Sequence, residues 1–93
     1  MQKILGYTLA ISGSTAIDVP TGSTALKADT VVEVSETMKI WFLVPDTEAP
    51  TEPRTFKVVS TDEEITDNLV NLEFVSTCVD FSGITHWHVF EVV

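Results

Sequence analysis

The stretch KILGYTLAI, residues 3–11, alternates apolar side chains with small or polar ones. Successive side chains of an extended strand point to opposite faces, so a period of two marks a strand with one face in a core. Helical spacing, with apolar positions three and four residues apart, is missing here. One face of the predicted strand collects the apolar residues Leu5, Tyr7, Leu9 and Ile11.

The same rhythm recurs along the chain, with turn residues roughly every ten positions. Further strands are predicted at residues 16–20, 24–34, 38–45, 54–60, 72–79 and 84–93. Residues 46–53 (DTEAPTEP) and 61–68 (TDEEITDN) are predicted loops, because prolines, acids and small polar residues replace the alternation.

Two of these strands carry more specific expectations. In the third, Leu26, Ala28, Thr30, Val32 and Val34 fall on one side and are expected to face the core. Residues 40–44 are apolar on both faces, which is typical of a central strand or of one covered on its second side. Pro20 is expected to end the second strand, because proline cannot donate to a ladder.

The strand pattern favours an all-β fold: a small antiparallel sandwich or barrel of about six to seven strands. β-Branched and aromatic residues dominate the apolar runs, as pleated surfaces prefer, and no helix-length amphipathic pattern occurs. With 93 residues, a single all-β domain over residues 1–93 is expected.

Acidic residues dominate the charge. Fourteen Asp and Glu stand against five Lys and Arg, for a net charge of −9. Such a surface repels nucleic acid and anionic membranes, so we expect no direct nucleic-acid binding and no membrane association. It can attract a basic protein, although an acidic surface also simply keeps a small protein soluble.

The single cysteine, Cys78, excludes an internal disulfide and a cysteine-cluster zinc site. It lies in a strand-like run, where a buried thiol is the usual role. A nucleophilic Cys78 paired with His86 or His88 is less favoured, because no nearby basic residue would lower its pKa.

The sequence HWH, residues 86–88, places both histidines on one face of a strand and Trp87 on the other. Two imidazoles at this spacing can bind a metal, but a site needs a third ligand, for which Asp80 is the near candidate. Histidines that only form hydrogen bonds at a sheet surface are more common than histidines that bind a metal. Histidines that line a contact surface or a pocket are intermediate in frequency. We therefore expect no metal.

Arg54 is the only arginine in an acidic chain. A bidentate pair with Glu52 or Glu48 would hold the neighbouring loop in place. Alternatively, Arg54 binds an anionic group of a ligand while Trp41, Trp87 or a histidine stacks on a base. The candidate ligand-binding or partner-binding residues are Trp41, Glu52, Arg54, Lys57, His86, Trp87 and His88.

Recognisable catalytic motifs are missing from the sequence. It contains no nucleophile elbow, no glycine-rich phosphate loop and no HExxH pattern. Glu63 and Glu64 form a carboxylate pair only by adjacency in a predicted loop, where charges usually meet water. We expect neither enzymatic activity nor a cofactor.

Two motifs carry a family resemblance: IWFLVPDTEAPTEPRTFKV at 40–58 and HWHVFE at 86–91. Together with the opening KILGYTLAI…IDVPTGS, they resemble a family of small phage-encoded proteins of unknown function. The matching positions are Trp41, Pro50, Thr51, Glu52, Arg54, Thr55, Phe56, His88, Phe90 and Glu91. No catalytic role comes with the resemblance.

The resemblance implies a phage protein working in the cytoplasm of an infected bacterium. The favoured hypothesis is a host-takeover or counter-defence protein that acts by binding, either blocking a host protein or sequestering a small nucleotide signal. One alternative is a minor virion or assembly protein, and another is an unrecognised enzyme or metal protein that uses His86 and His88.

The end of the chain predicts self-association. After Glu91 the sequence ends in Val92 and Val93 with no polar cap, which leaves an apolar edge or face for a lone monomer to protect. A homodimer or a larger ring would bury it and could shape a shared pocket.

Overall fold

The computed structural model describes residues 2–32, 36–64 and 72–93. Seven strands follow one another along the chain: β1 (Lys3–Leu9), β2 (Gly13–Pro20), β3 (Thr24–Val32), β4 (Glu36–Val44), β5 (Thr51–Ser60), β6 (Leu72–Val79) and β7 (His86–Val92). All pairings are antiparallel, in a three-stranded sheet of order β1-β4-β3 and a four-stranded sheet of order β2-β5-β7-β6. The predicted all-β sandwich is confirmed, and the described residues contain no helix.

The core lies between the two sheets and collects alternate residues of their strands. Phe42, on the central strand β4, is fully buried and meets Tyr7 and Phe56 edge-on at ring-centroid distances of 5.6 and 5.7 Å. The other fully buried large side chains are Phe56, Met38, Ile40, Val19, Val44, Val58 and Val89. The prediction that residues 40–44 form a central strand is confirmed.

Side-chain hydrogen bonds join the two sheets at one corner, where the edge strands β3 and β6 run close together. Thr30 Oγ1 donates to the carbonyl oxygen of Val79 at 2.8 Å, and Ser76 Oγ donates to that of Ala28 at 2.9 Å. These bonds supply donors to backbone acceptors that an open sheet edge would leave to water. The β3–β6 corner is thus closed.

A β-bulge overturns one expectation for β3. The β3–β4 register shifts between Ala25 and Lys27, so Leu26 is an extra residue in the ladder and is 47% exposed. Ala25 packs against the core, while Ala28 and Thr30 are buried as predicted. The expectation that Leu26 faces the core was wrong because the bulge interrupts the alternation.

Several strand bounds differ from those predicted. β5 begins at Thr51, so the predicted loop 46–53 ends early, and Pro53 lies in the strand opposite Asp18. At Pro53, β5 is paired with β2 alone, because its pairing with β7 starts at Thr55. A proline, which has no N–H, is tolerated at such a position. β2 ends at Pro20, as expected.

The remaining strand bounds shift by one to three residues: β1 ends at Leu9, β2 begins at Gly13, β4 spans Glu36–Val44 and β7 spans His86–Val92. Residues 33–34 of the predicted third strand and residues 65–68 of the predicted second loop lie outside the described residues.

The packing around Phe42 predicts a large stability effect. Phe42→Ala should lower the free energy of unfolding by about 3–5 kcal/mol, because it leaves a cavity between the sheets. Phe74→Ala, at a side chain that is 61% exposed, should cost less than about 1 kcal/mol. Urea denaturation measures both, and equal costs for the two variants would contradict the placement of the core.

Candidate functional site

The candidate residues lie in separate places. Trp41 is on the outer face of the three-stranded sheet, where its indole lies across Gly6: a Cβ at Gly6 would be 3.2 Å from the indole Nε1. Trp87 packs against the core from the opposite sheet. Its Nε1 is buried and meets no acceptor in the described parts of the chain. The two tryptophans therefore do not line a common pocket.

Arg54 is held at one end of the core by a bidentate ion pair with Glu91. Its Nε and Nη2 donate to the two carboxylate oxygens at 2.7 Å each, and its Nη1 donates to the carbonyl oxygen of Ser23 at 2.6 Å. The guanidinium carbon lies 5.0 Å from the ring centroid of Phe42. Its contacts therefore connect β5, β7 and the start of β3 with the core.

This geometry confirms the expected bidentate pair and corrects its partner. Glu91, on the neighbouring strand β7, replaces the expected Glu52 or Glu48. The predicted interaction was local in the sequence, whereas the observed one joins strands that only the sheet order brings together. An anionic ligand at Arg54 would have to displace Glu91, so the geometry favours a structural role.

Carboxylates surround Arg54. Its pKa is raised above the ordinary value, chiefly by the hydrogen bond to Glu91, against the opposing effect of burial and with the help of the charges of Glu91, Glu52 and Glu73. An open groove of about 540 Å³ at this end is lined by Glu52, Glu73 and Glu91 among other residues. Its carboxylates outnumber the single guanidinium, so the end stays acidic.

A second surface lies on the outer side of the β6–β7 hairpin. The pairing Phe74↔Phe90, together with its neighbours in the ladder, places eight outward side chains side by side. We call this surface the hairpin face; it consists of Leu72, Phe74, Thr77, Val79, His86, His88, Phe90 and Val92. None of the eight is Asp, Glu, Lys or Arg, although 20% of the chain is charged.

Aromatic side chains dominate the hairpin face at its centre. Phe74 is 61% exposed and meets Phe90 edge-on at a ring-centroid distance of 5.8 Å. Val79 is exposed on the same face, and Phe81 and Ile84 expose further apolar surface in the turn between the strands. Large apolar side chains grouped on a surface mark an interaction site more often than isolated ones do.

His88 is fixed in the middle of this face by two threonines. Its Nε2 lies 2.7 Å from Thr61 Oγ1, and its Nδ1 lies 3.0 Å from Thr77 Oγ1. In a neutral imidazole one nitrogen donates and the other accepts, and either hydroxyl can take the complementary role. The expected hydrogen-bonding histidine at a sheet surface is confirmed for His88.

His86, at the turn end of the face, is exposed and lines an open groove of about 380 Å³ with Ile84 and Thr61. Within residues 2–32, 36–64 and 72–93, no three His, Cys, Asp or Glu side chains are grouped so that they could hold a metal ion. Cys78 is buried, with its Sγ 3.6 Å from Met38 Sδ, which confirms the expected buried thiol.

Lys57 and Glu52 complete the candidate set. Lys57 lies on β5 directly opposite Phe90 and borders the hairpin face. Glu52 lies with Arg54 at the acidic end. Two residues of the hairpin face, His86 and His88, were predicted from the sequence, whereas its largest exposed side chain, Phe74, was not. Its place on the surface depends on the β6–β7 register and on the bulge between Phe74 and Ser76.

Asp80 orders the turn that ends the hairpin face. Its Oδ1 accepts hydrogen bonds from Ser82 Oγ at 2.7 Å and from the N–H groups of Ile84 and Thr85 at 3.2 and 3.4 Å. The bond from Ser82 contributes most to lowering the pKa of this carboxyl below its usual value. Asp80, the candidate third metal ligand, instead caps the turn.

Comparison with known proteins adds a family but no function. The model of a family described as a domain of unknown function, DUF7352, matches residues 1–93. No curated protein and no solved structure matches the chain. In the part of the chain that the structure describes, no helix has the length and apolar character needed to cross a membrane.

Arg54 and Glu91 should depend on each other for stability. The two side chains are only 16% and 12% exposed, so Arg54→Met, which strands a carboxylate, should cost about 3 kcal/mol of unfolding free energy. Adding Glu91→Leu should recover most of that loss. As a control, Lys27→Met breaks an exposed pair with Asp29, 3.4 Å apart, and should cost under about 1 kcal/mol. Equal losses in the two single variants, measured by urea denaturation, would refute the structural role.

The turn cap predicts a pH-dependent effect. Because folding lowers the pKa of Asp80, its contribution to stability is present above the ordinary carboxyl pKa and is lost as the pH falls through the lowered value. Asp80→Ala should therefore lower the melting temperature at neutral pH and have little effect in strong acid. Thermal melts across that range test this, with Asp18→Ala, at an exposed acid on β2, as the control. An equal decrease in the melting temperature of Asp80→Ala at every pH would contradict the role of Asp80 as a charged turn cap.

Proposed function

The chain belongs to the DUF7352 family, and we propose that it is a non-enzymatic phage accessory protein that blocks a host protein by binding it through the hairpin face. Its place of action in this proposal is the cytoplasm of the infected bacterium, in host takeover or counter-defence. The resemblance to small phage-encoded proteins supports the setting. The exposed apolar hairpin supports the mode of action.

The observation that carries this proposal is the exposure of Phe74 beside Phe90 on an uncharged face. Burying one large apolar side chain contributes about 1.5–3 kcal/mol, so covering these two rings supplies much of the energy that a binding hot spot needs. The strands are paired on both sides of β7, so the face is preformed and little ordering cost accompanies binding.

Charge indicates the kind of protein partner. Asp62, Glu63 and Asp80 lie beyond the turn end of the hairpin face, and Lys57 borders its side. A partner with an apolar centre and a basic patch facing the turn end would complement this arrangement. Opposite charges at the rim speed association more than they strengthen the final complex, and salt screens them.

The same geometry favours blocking a protein over sequestering a nucleotide. Arg54 donates to Glu91 and Ser23, and neither tryptophan lies beside it to stack on a base. Binding is also favoured over catalysis, because the two ring nitrogens of His88 are both engaged by threonine hydroxyls. The alternative of a minor virion protein predicts that the chain is present in purified phage particles, whereas the proposal predicts that it is absent from them.

Capture from infected cells tests the hairpin face directly. Tagged wild-type protein and Leu26→Asp, a variant at an exposed site on the other sheet, should retain the same host protein, and Phe74→Asp should lose it. The amount retained should fall as salt is raised. Both substituted sites are exposed, so circular dichroism of the variants should match that of the wild type. Equal capture by Phe74→Asp would refute the proposal.

A further inference from the structure

Strand β1 is an open edge of the sandwich. It ends the three-stranded sheet, and no described strand pairs with the side that faces away from β4. The edges of β3 and β6 are joined by hydrogen bonds from Thr30 and Ser76. The remaining edge strand, β2, ends in Pro20 and carries the exposed Asp18. Unpaired edges pair readily with another chain unless charges, prolines or bulges prevent it, and β1 carries only Lys3.

We infer that β1 pairs with β1 of a second copy, so that two chains form a two-fold dimer with a continuous six-stranded sheet. This dimer does not involve the hairpin face and does not depend on the proposed function. A second copy is the partner because the strand is symmetric about its midpoint. Its residues run from Lys3 to Leu9, so Gly6 is its midpoint.

Antiparallel pairing about Gly6 brings compatible side chains together. Leu5 would lie opposite Tyr7 of the partner subunit; both residues are half-buried and pack against the core, so the apolar layer would continue across the interface. Ile4, which is 59% exposed, would lie opposite Thr8 of the partner subunit on the outer face. Dimerisation would thereby bury part of the exposed Ile4 side chain.

One set of backbone groups of β1 is open to a second copy. Because donors alternate sides along a strand, every second N–H of an edge strand faces away from its neighbour, which here is β4. Just beyond the strand, the N–H of Ala10 donates to Thr15 Oγ1 of β2 at 2.9 Å. The outward N–H groups of β1 can form the ladder with a second copy, with the midpoint Gly6 at the two-fold axis.

Trp41 supports the same edge from the outer face. A glycine in the middle of a strand weakens it, and an aromatic side chain lying across the glycine compensates for this. The indole of Trp41 covers Gly6 in this way. In the dimer, the Trp41 indole of each copy would lie over its Gly6 beside the two-fold axis. The two indoles would therefore cover the outer face of the sheet on both sides of the dimer interface.

Charge sets the salt dependence of the dimer. The two Lys3 residues would lie at opposite ends of the paired strands, about 20 Å apart at 3.4 Å per residue, which exceeds the Debye length of about 8 Å at physiological salt. Each copy carries a net charge of −9, so the remaining repulsion acts between the two acidic surfaces as a whole, and salt screens it. Dimerisation should strengthen with salt, whereas binding to a basic partner should weaken.

Sedimentation equilibrium of the purified chain tests the dimer. The wild type should dimerise at micromolar concentration, and Ile4→Lys, which places a charge on the open edge, should raise the dimer dissociation constant at least about tenfold. Leu26→Lys, the same change of charge at an exposed site on the other edge of the sheet, should leave it unchanged, as should Phe74→Asp. A strict monomer, or a dimer weakened by Phe74→Asp and not by Ile4→Lys, would overturn the inference.

Cysteine crosslinking tests the register. In the double variant Ile4→Cys, Thr8→Cys, each new thiol would face one of the partner subunit across an antiparallel pair, within the Cα separation that a disulfide allows. Mild oxidation should give a covalent dimer under denaturing conditions. Leu26→Cys should stay monomeric. If the double variant crosslinks no more than Leu26→Cys, the β1 pairing is wrong even if the chain dimerises.

Discussion

The ion pair between Arg54 and Glu91 fixes one end of the sandwich. It links the two central strands of the four-stranded sheet, reaches the start of β3 through the Ser23 carbonyl and lies over the ring of Phe42. A charge this close to the core is tolerated because each guanidinium nitrogen has an acceptor. The pair also assigns the only arginine to the framework, which leaves ligand recognition to other surfaces.

The hairpin face is the apolar surface that remains for recognition. A 93-residue sandwich has few large apolar side chains, and Phe42 and Phe56 already fill its centre. Phe74 and Phe90 add nothing to that core from the outer side, and His88 is held between two threonines in the same surface. The face is ordered and uncharged, with acidic residues beyond its turn end and Lys57 at its side. These features suit a docking surface better than a catalytic centre.

Sequence alternation predicted the strands and the core because one side of each strand must be buried. It failed at Leu26, since a bulge depends on how two strands pair and leaves no mark in a single strand. It named the wrong partner for Arg54 for the same reason: Glu91 is distant in the chain and adjacent only in the sheet. Facing directions within one strand, such as the opposite sides of Trp87 and His88, were predictable. Groupings between strands, such as Phe74 with Phe90, were not.

Photocrosslinking in infected cells tests directly whether the hairpin face contacts a bacterial protein. A photoreactive phenylalanine analogue at position 74 keeps the shape of the native ring and reports what lies within a few ångströms of it. We expect a crosslink from position 74 to a bacterial protein and none from position 26 on the other sheet. Crosslinks from position 26 alone, or from position 74 only to a second copy of this chain, would contradict it.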